Sequence, residues 1–511
     1  MADYFRPRGD ITTVLDLTDR DSQDNTYFPI DVEQSWFHRG AIQTVFPTTM
    51  SVQEFTQRGP ADWGQKCSFE IGSLPAGDLL QSIMLQIKLG SWYNGAIISE
   101  LSNTLLTTNL ADHGSEYWTY MNSLGTSIIE YAEFIVNDQT IERITGEFIN
   151  TFFHLDADSN TAFGISMDAI GEIPHQYLTS TNGSVLETGF APHRPYPTEN
   201  GTYFCILPFF FLRTYLKQAF PLVSCNEGNV RIDIKLRPFD QVVRKYNGYR
   251  ANCTDTPLNK EVSFVSLPTL TPVTTQTASQ PPDFRDFRIL TTCALTTGSL
   301  REKFLHQPFE QMVKLVQTFS FEEPLKYLVS KPNSNADAVE IALPLELNHP
   351  VVELLWVFRR KAVLVNNEWA NFTPAISLQS NPNRIFPPWL SSATIRINGA
   401  EVITAEGDWF RDHIATKHKG GITSFQSYVY GYSFAEYPDQ HQPSGTANMS
   451  RATSITLKLK VRTPIATDLS TLGSPCVFDP VTVGGWEVFV YAIHYNWLRF
   501  ENGICNRIFS D

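Results

Sequence analysis

Ala132-Glu133-Phe134-Ile135-Val136-Asn137-Asp138-Gln139-Thr140-Ile141, with Gly146-Glu147-Phe148-Ile149 just after it, lines up without gaps against a second stretch of the same chain. That stretch is Ala393-Thr394-Ile395-Arg396-Ile397-Asn398-Gly399-Ala400-Glu401-Val402, followed by Gly407-Asp408-Trp409-Phe410. Both copies read strand, tight turn, strand, helix start. Asn-Asp and Asn-Gly supply the positive φ angles of a two-residue hairpin, and the Gly-acid-aromatic group suits the entry to a short helix. The offset from 132 to 393 is 261 residues, about half of the 511-residue chain, as duplication of one domain would give.

Strands dominate the rest of the chain. Val230-Arg231-Ile232-Asp233-Ile234-Lys235-Leu236-Arg237 alternates apolar and charged residues without error, and Ile455-Thr456-Leu457-Lys458-Leu459-Lys460-Val461-Arg462 repeats the pattern. Ile83-Met84-Leu85-Gln86-Ile87-Lys88-Leu89 comes close to it. A period of two marks half-buried antiparallel strands. Helical periodicity is confined to 123–133, 147–153 and 214–219, so the expected class is all-β with short helical insertions. From 253 to 284 the composition turns to Thr, Pro, Ser and Gln, which reads as an interdomain linker. It separates an N-terminal arm (1–40) and a first domain (41–252) from a second domain (285–511). A polar stretch from His154 to Thr202 reads as a long exposed loop.

Length alone calls for two cores. Composition is globular, at 42% apolar and 18% charged residues, and 13% aromatics with 31 Pro and 29 Gly suit short strands joined by many turns. The net charge of −14, without long basic runs, disfavours direct nucleic-acid binding, which needs clustered cations. The seven cysteines, 67, 205, 225, 253, 293, 476 and 505, form no C-x-x-C pair, so buried reduced thiols are expected in place of a zinc site. The apolar run from Ile206 to Leu212 is too short to span a bilayer, and the first residues carry no apolar signal region, so membrane insertion is not expected.

Several blocks resemble the major capsid proteins of the nucleocytoplasmic large DNA viruses. They are Leu207-Pro208-Phe209-Phe210-Phe211 with Ala219-Phe220-Pro221-Leu222, His349-Pro350-Val351-Val352-Glu353-Leu354-Leu355-Trp356-Val357, and Tyr495-Asn496-Trp497-Leu498-Arg499-Phe500. The most specific is Tyr432-Ser433-Phe434-Ala435 with His441-Gln442-Pro443-Ser444-Gly445-Thr446-Ala447-Asn448-Met449-Ser450-Arg451, similar to the family signature. Met449 stands where the family usually has an aromatic, and the first 40 residues match nothing in the pattern. The resemblance implies two consecutive eight-stranded jelly-roll sandwiches in a non-enzymatic shell protein without cofactors. It further implies a homotrimer of nearly hexagonal outline that tiles an icosahedral capsid, touches neighbouring capsomers and minor capsid proteins, and is assembled in the host cytoplasm. Within the signature, Pro443, Ser444, Gly445, Asn448 and Ser450 are expected to be structural: a rigid-then-permissive turn, then polar groups that satisfy open backbone. Trp356, Trp389 and Trp409 are expected in the core or in subunit contacts.

Jelly rolls also house enzymes and glycan-binding attachment proteins, which are the alternatives. His154-Leu155-Asp156 with His441 and Arg451 mimics the spacing of an iron oxygenase, but its two parts fall in different domains. His413 and His418 beside Asp412 read as a loop pair, and no phosphate-binding or serine-nucleophile motif occurs. Five N-x-S/T sequons are present. Asn182 and Asn200, in the long loop, are the better glycosylation candidates, ahead of Asn252 and Asn371, and Asn448 is expected to be buried.

Overall fold

The computed structural model describes residues 48–72, 77–89, 116–120, 123–156, 202–213, 218–247, 284–322, 338–360, 367, 369, 370, 372, 390–418, 428–440, 442–462 and 486–509. The sequence repeat folds as expected. Asn137 and Asp138 have φ of 51° and 61°, and Asn398 and Gly399 have φ of 52° and 79°, so both hairpins turn through the same left-handed pair. These hairpins join β5 (Ile129–Val136) to β6 (Gln139–Thr145) and β15 (Leu390–Ile397) to β16 (Ala400–Glu406).

Each hairpin belongs to a four-stranded sheet. In the first half, β5 and β6 follow β2 (Lys66–Glu70) and β9 (Val230–Leu236) in the order β2-β9-β5-β6. The companion sheet is β1-β11-β3-β7, from β1 (Thr48–Thr56), β11 (Phe284–Thr296), β3 (Leu79–Leu89) and β7 (Thr202–Ile206). In the second half the order is β13-β19-β15-β16, with β13 (Ala338–Pro344) and β19 (Ile455–Arg462). Its companion is β12-β20-β14-β17, from β12 (Phe309–Phe321), β20 (Trp486–Glu501), β14 (Pro350–Arg360) and β17 (Tyr430–Ser433). Counting the eight strands of each half in chain order, both sheets run first-eighth-third-sixth and second-seventh-fourth-fifth. That is the jelly-roll order, and the chain repeats it.

The two halves agree in their irregularities as well. The hairpin ladders shift register between Phe134 and Ile135 and between Ile395 and Arg396. The ladders to β9 and β19 shift between Ile129 and Tyr131 and between Leu390 and Ser392. All four bulges fall at the 261-residue offset, and bulges are built features of a fold.

Three helices matter here: α1 (Gly146–Asp156), α2 (Gly298–His306) and α3 (Gly407–Lys417). Gly146 and Gly407 open α1 and α3 because a Cβ there would stand 2.1 Å from the Ile129 carbonyl and 2.2 Å from that of Leu390. The expected helix over 123–133 shrinks to Leu124–Ser127, since Ile129 onward is drawn into β5. A helical turn at Phe210–Arg213 precedes the segment expected at 214–219, most of which lies outside the described residues. His154 is a buried residue near the end of α1, not the start of a loop; residues 157–201 lie outside the described set.

The strand β11 falls differently from the sequence expectation. Residues 285–296, read as the opening of the second domain, belong to Phe284–Thr296, which pairs with β1 and β3 and supplies the eighth strand of the first roll. The Thr/Pro-rich stretch before it therefore leads from β10 (Val243–Asn247) back into the first roll. Composition marks where a chain leaves regular structure, but not which strand it rejoins.

Each roll has its own apolar interior, and the second is centred on Trp356, Phe358 and Tyr430. Full burial of one such side chain contributes about 1.5–3 kcal/mol. The sheet β12-β20-β14-β17 is apolar on both faces. Leu354, Trp356 and Phe358 fill the second interior, while Leu355, Val357, Tyr491 and Ile493 join the cluster of the first roll. The two rolls thus share a largely apolar junction.

Candidate functional site

The junction carries a buried ion cluster that joins the two rolls. Phe148 on α1 meets Tyr491 on β20 with ring centroids 5.0 Å apart, both fully buried. Beside them Glu147 Oε1 lies 2.9 Å from Arg237 Nη2 of the first roll and 2.9 Å from Arg359 Nη1 of the second. Arg359 Nη2 donates to Glu487 Oε2 at 2.8 Å. Trp369 sits under both cations, 3.8 Å from the Arg237 guanidinium and 5.2 Å from that of Arg359. Its indole N–H donates to the Gln241 carbonyl at 2.8 Å, so the second-roll side chain is also tied to first-roll backbone.

Burial alone would raise the Glu147 pKa, but Arg237 and Arg359 outweigh it and hold the carboxyl below the usual range. Burial works against the Arg359 charge too, and Glu147 with Glu487 overcomes it, leaving that guanidinium raised. The charges of the cluster compensate each other across the two rolls, although burial still pulls the Arg237 guanidinium down against the pull of Glu147. Sequence reading missed these four residues. Arg237 ends an alternating strand and was legible only as part of its charged face; burial came from the opposite roll.

The other singled-out groups disperse. His154 lies on α1, and His441 lies outside the described residues. His413 and His418 are not a loop pair. His413 lies within α3, where its ring stacks on Trp409 at 4.6 Å and accepts the Ser433 N–H at 3.3 Å. His418 ends the helix with Nε2 2.9 Å from Glu353 Oε2, in a buried contact. Burial, then Lys417, pushes the His413 pKa down. Among the described residues, no cluster of three His, Cys, Asp or Glu side chains could hold a metal, and no helix is long and apolar enough to cross a membrane. Trp356 is core, Trp409 is 40% exposed, and Trp389, Asn182, Asn200 and Asn252 lie outside the described residues, as does Asn371.

Residues 301–506 match the family described as large eukaryotic DNA virus major capsid protein, and residues 36–268 match the major capsid protein N-terminus. The chain belongs to the major capsid proteins of large eukaryotic DNA viruses. Its sequence is similar to the major capsid protein of Pyramimonas orientalis virus, 28% identical over 199 residues, which is 36% of this chain and 43% of that one. It is 34% identical over 123 residues to the major capsid protein of Paramecium bursaria Chlorella virus 1, covering 22% of this chain and 27% of that one. The aligned stretches therefore span less than half the length of these curated relatives. The fold is similar to PBCV-1 VP54, with a TM-score of 0.62 at 17% identity over 93% of this chain and 100% of that one. It is also similar to the Faustovirus major capsid protein, with a TM-score of 0.60 at 11% identity over 96% and 97%.

The signature blocks of this capsid-protein chain occupy matching places in its two rolls. Between sixth and seventh strands, each roll lays a two-residue strand on its third strand: β8 (Phe220–Pro221) on β3 and β18 (Ala447–Asn448) on β14. A 3-10 turn follows, Leu222–Cys225 or Met449–Arg451, with Leu222 and Met449 buried to 1% exposure as pegs. Ser450 Oγ accepts the His349 N–H at 2.8 Å, and Ser444 Oγ accepts the Tyr437 N–H at 2.8 Å. Gly445, at φ +149°, passes where a Cβ would stand 2.7 Å from the Phe434 carbonyl. Buried Lys314 donates to the Pro438 and Gln440 carbonyls, each at 2.6 Å, and clamps the loop. Pro443 and Asn448 are exposed, so Asn448 is not the buried residue expected; the neighbouring Met449 takes the interior place.

Proposed function

We propose that the chain is a structural shell subunit, three copies of which close around a threefold axis into a pseudo-hexameric capsomer of an icosahedral virion. The repeated strand order, down to the same bulges, carries this reading: two like lobes per chain give six per trimer, an outline that tiles a flat facet. In this proposal the first roll runs from 48 to 296, α2 bridges the rolls, and the second runs from 309 to 507. Its role is structural and not catalytic, because the buried acids, bases and histidines serve the joint and the helix packing. Contacts with neighbouring capsomers and minor capsid proteins, location in the virion and assembly in the host cytoplasm belong to the same proposal. Among the described residues, five buried free thiols, at Cys67, Cys205, Cys225, Cys293 and Cys505, suit a reducing compartment.

Sedimentation of the full chain tests the reading. A stable species of three times 57.8 kDa is expected. A chain that stays single at micromolar concentration, or that binds glycans as a monomer, overturns it.

A further inference from the structure

The trimer reading leaves open which surfaces meet, and the chain's own junction supplies a template. We propose that the start of α3, Asp408 and Trp409, docks on the outer face of β3 and β11 in a second copy of the chain, against Met84, Leu290 and Lys88. The inference rests on the trimer reading and names its contact.

The repeat makes the correspondence explicit. At the 261-residue offset, Glu147, Phe148 and Phe152 of α1 become Asp408, Trp409 and His413 of α3. The receiving sheets align through their bulges: Val352 is the extra residue of β14 against β20, and Gln81 is the extra residue of β3 against β11. Counting onward, Leu355 corresponds to Met84 and Arg359 to Lys88. Their cross-strand partners follow, so Tyr491 corresponds to Leu290 and Glu487 to Asp286.

Burial then divides the two sets. Phe148 and Tyr491 are both at 0% exposure within the chain, whereas Trp409 is 40% exposed. The face that corresponds to the buried side of the second roll's sheet is open in the first. Ile206, directly opposite Met84, is 43% exposed, and Val52, opposite Thr292 on that face, is 60% exposed. An aromatic held outward by stacking on His413, and an apolar row of Ile206, Met84 and Leu290 across β7, β3 and β11, flanked on β1 by Glu54, are the two halves of a contact the chain already makes once. Charge repeats the pattern. Glu147, Arg359 and Glu487 alternate acid-base-acid across the junction, and Asp408, Lys88 and Asp286 would do so between chains. Asp408 is exposed, and in its own chain it faces Arg411 at 3.5 Å. In the trimer reading this head-to-tail contact recurs three times, alternating with the covalent version of the same interface around the ring.

Two sets of variants of the full chain test the contact. With Trp409→Cys and Leu290→Cys in one chain, mild oxidation is expected to give a non-reducing gel ladder ending at three chains, while either single variant stays at one. Asp408→Lys and Lys88→Glu are each expected to weaken trimer formation by roughly tenfold or more, and the two combined to recover most of it, which also shows that the variants fold. Trimers that do not crosslink and do not respond to the charge reversals overturn this surface while the trimer reading stands. A wild-type chain that sediments singly overturns both.

Discussion

Helices α1 and α3 start from the same triplet of glycine, acid and aromatic on the same backbone, yet one buries its aromatic completely and the other shows it to solvent. The glycines have the same cause, a strand carbonyl within 2.2 Å of where a Cβ would be. What differs is the neighbour. The tip of α1 meets the sheet of the opposite roll, whereas Trp409 at the tip of α3 reaches Tyr432 on β17 of its own roll, ring centroids 6.4 Å apart, and stays partly exposed. Backbone geometry in this molecule is therefore dictated locally and twice over, while the fate of the side chains is dictated by which roll stands opposite.

The acid position tests that difference most severely. Glu147→Gln leaves Arg237 and Arg359 buried against a neutral amide, and breaking a buried ion cluster costs about 3–5 kcal/mol. Because the folded carboxyl is held below its ordinary value, its stabilisation is complete above the unfolded pKa of about 4.3 and is lost as pH falls through the folded value. The gap between wild type and variant in urea unfolding should thus be widest near neutral pH and close below pH of about 4. Asp408→Asn, measured where chains are separate, should leave the acid limb unchanged. Equal responses at the two positions would erase the contrast.

The glycines sharpen the other side of the comparison, where the rolls should agree. Gly146→Ala and Gly407→Ala each drive a methyl into a carbonyl of the preceding strand, and each should cost about 3 kcal/mol through displacement of the helix start. Thermal unfolding that shows a large loss for one and none for the other would mean that the helices do not enter their rolls alike.

What could be read from sequence follows the same division. The hairpin of each roll was legible because an Asn-led turn, a two-residue period and a helix-opening glycine are all local requirements. The membership of β11 was not, because a strand rejoins its sheet across the whole roll, and the polar stretch before it looks the same whichever sheet it leads to. The junction was hidden for a related reason. Leu355 and Val357 in β14 read as one more apolar run and Arg237 as part of a charged strand face; only the folded contact shows Arg359 meeting first-roll Glu147 and Arg237 covered by Trp369 from the other half. His413 and His418 read as a loop pair because an i, i+5 spacing sets them apart on a helix and on opposite faces of a strand; the helix that carries His413 is fixed by Gly407 and by packing on β17, and His418 follows at its end.

The smallest effect separates the two signature crossings. Both lay a short strand on the third strand of their roll and then bury an apolar peg, but only the second-roll crossing has a hydroxyl at the next position: Ser450 stands where the first roll has Val223. There the Ser450 oxygen accepts the N–H of His349, whose φ of 67° turns the chain into β14. Ser450→Ala removes that acceptor and should cost about 1 kcal/mol, with Val223→Ala in the first roll losing only packing. The urea midpoint of Ser450→Ala, with and without Lys314→Met, measures the anchoring directly. If the hydroxyl and the lysine clamp hold one loop together, the double variant should lose less than the sum of the singles. Strict additivity would mean that the strained entry to β14 is held by the Met449 peg alone.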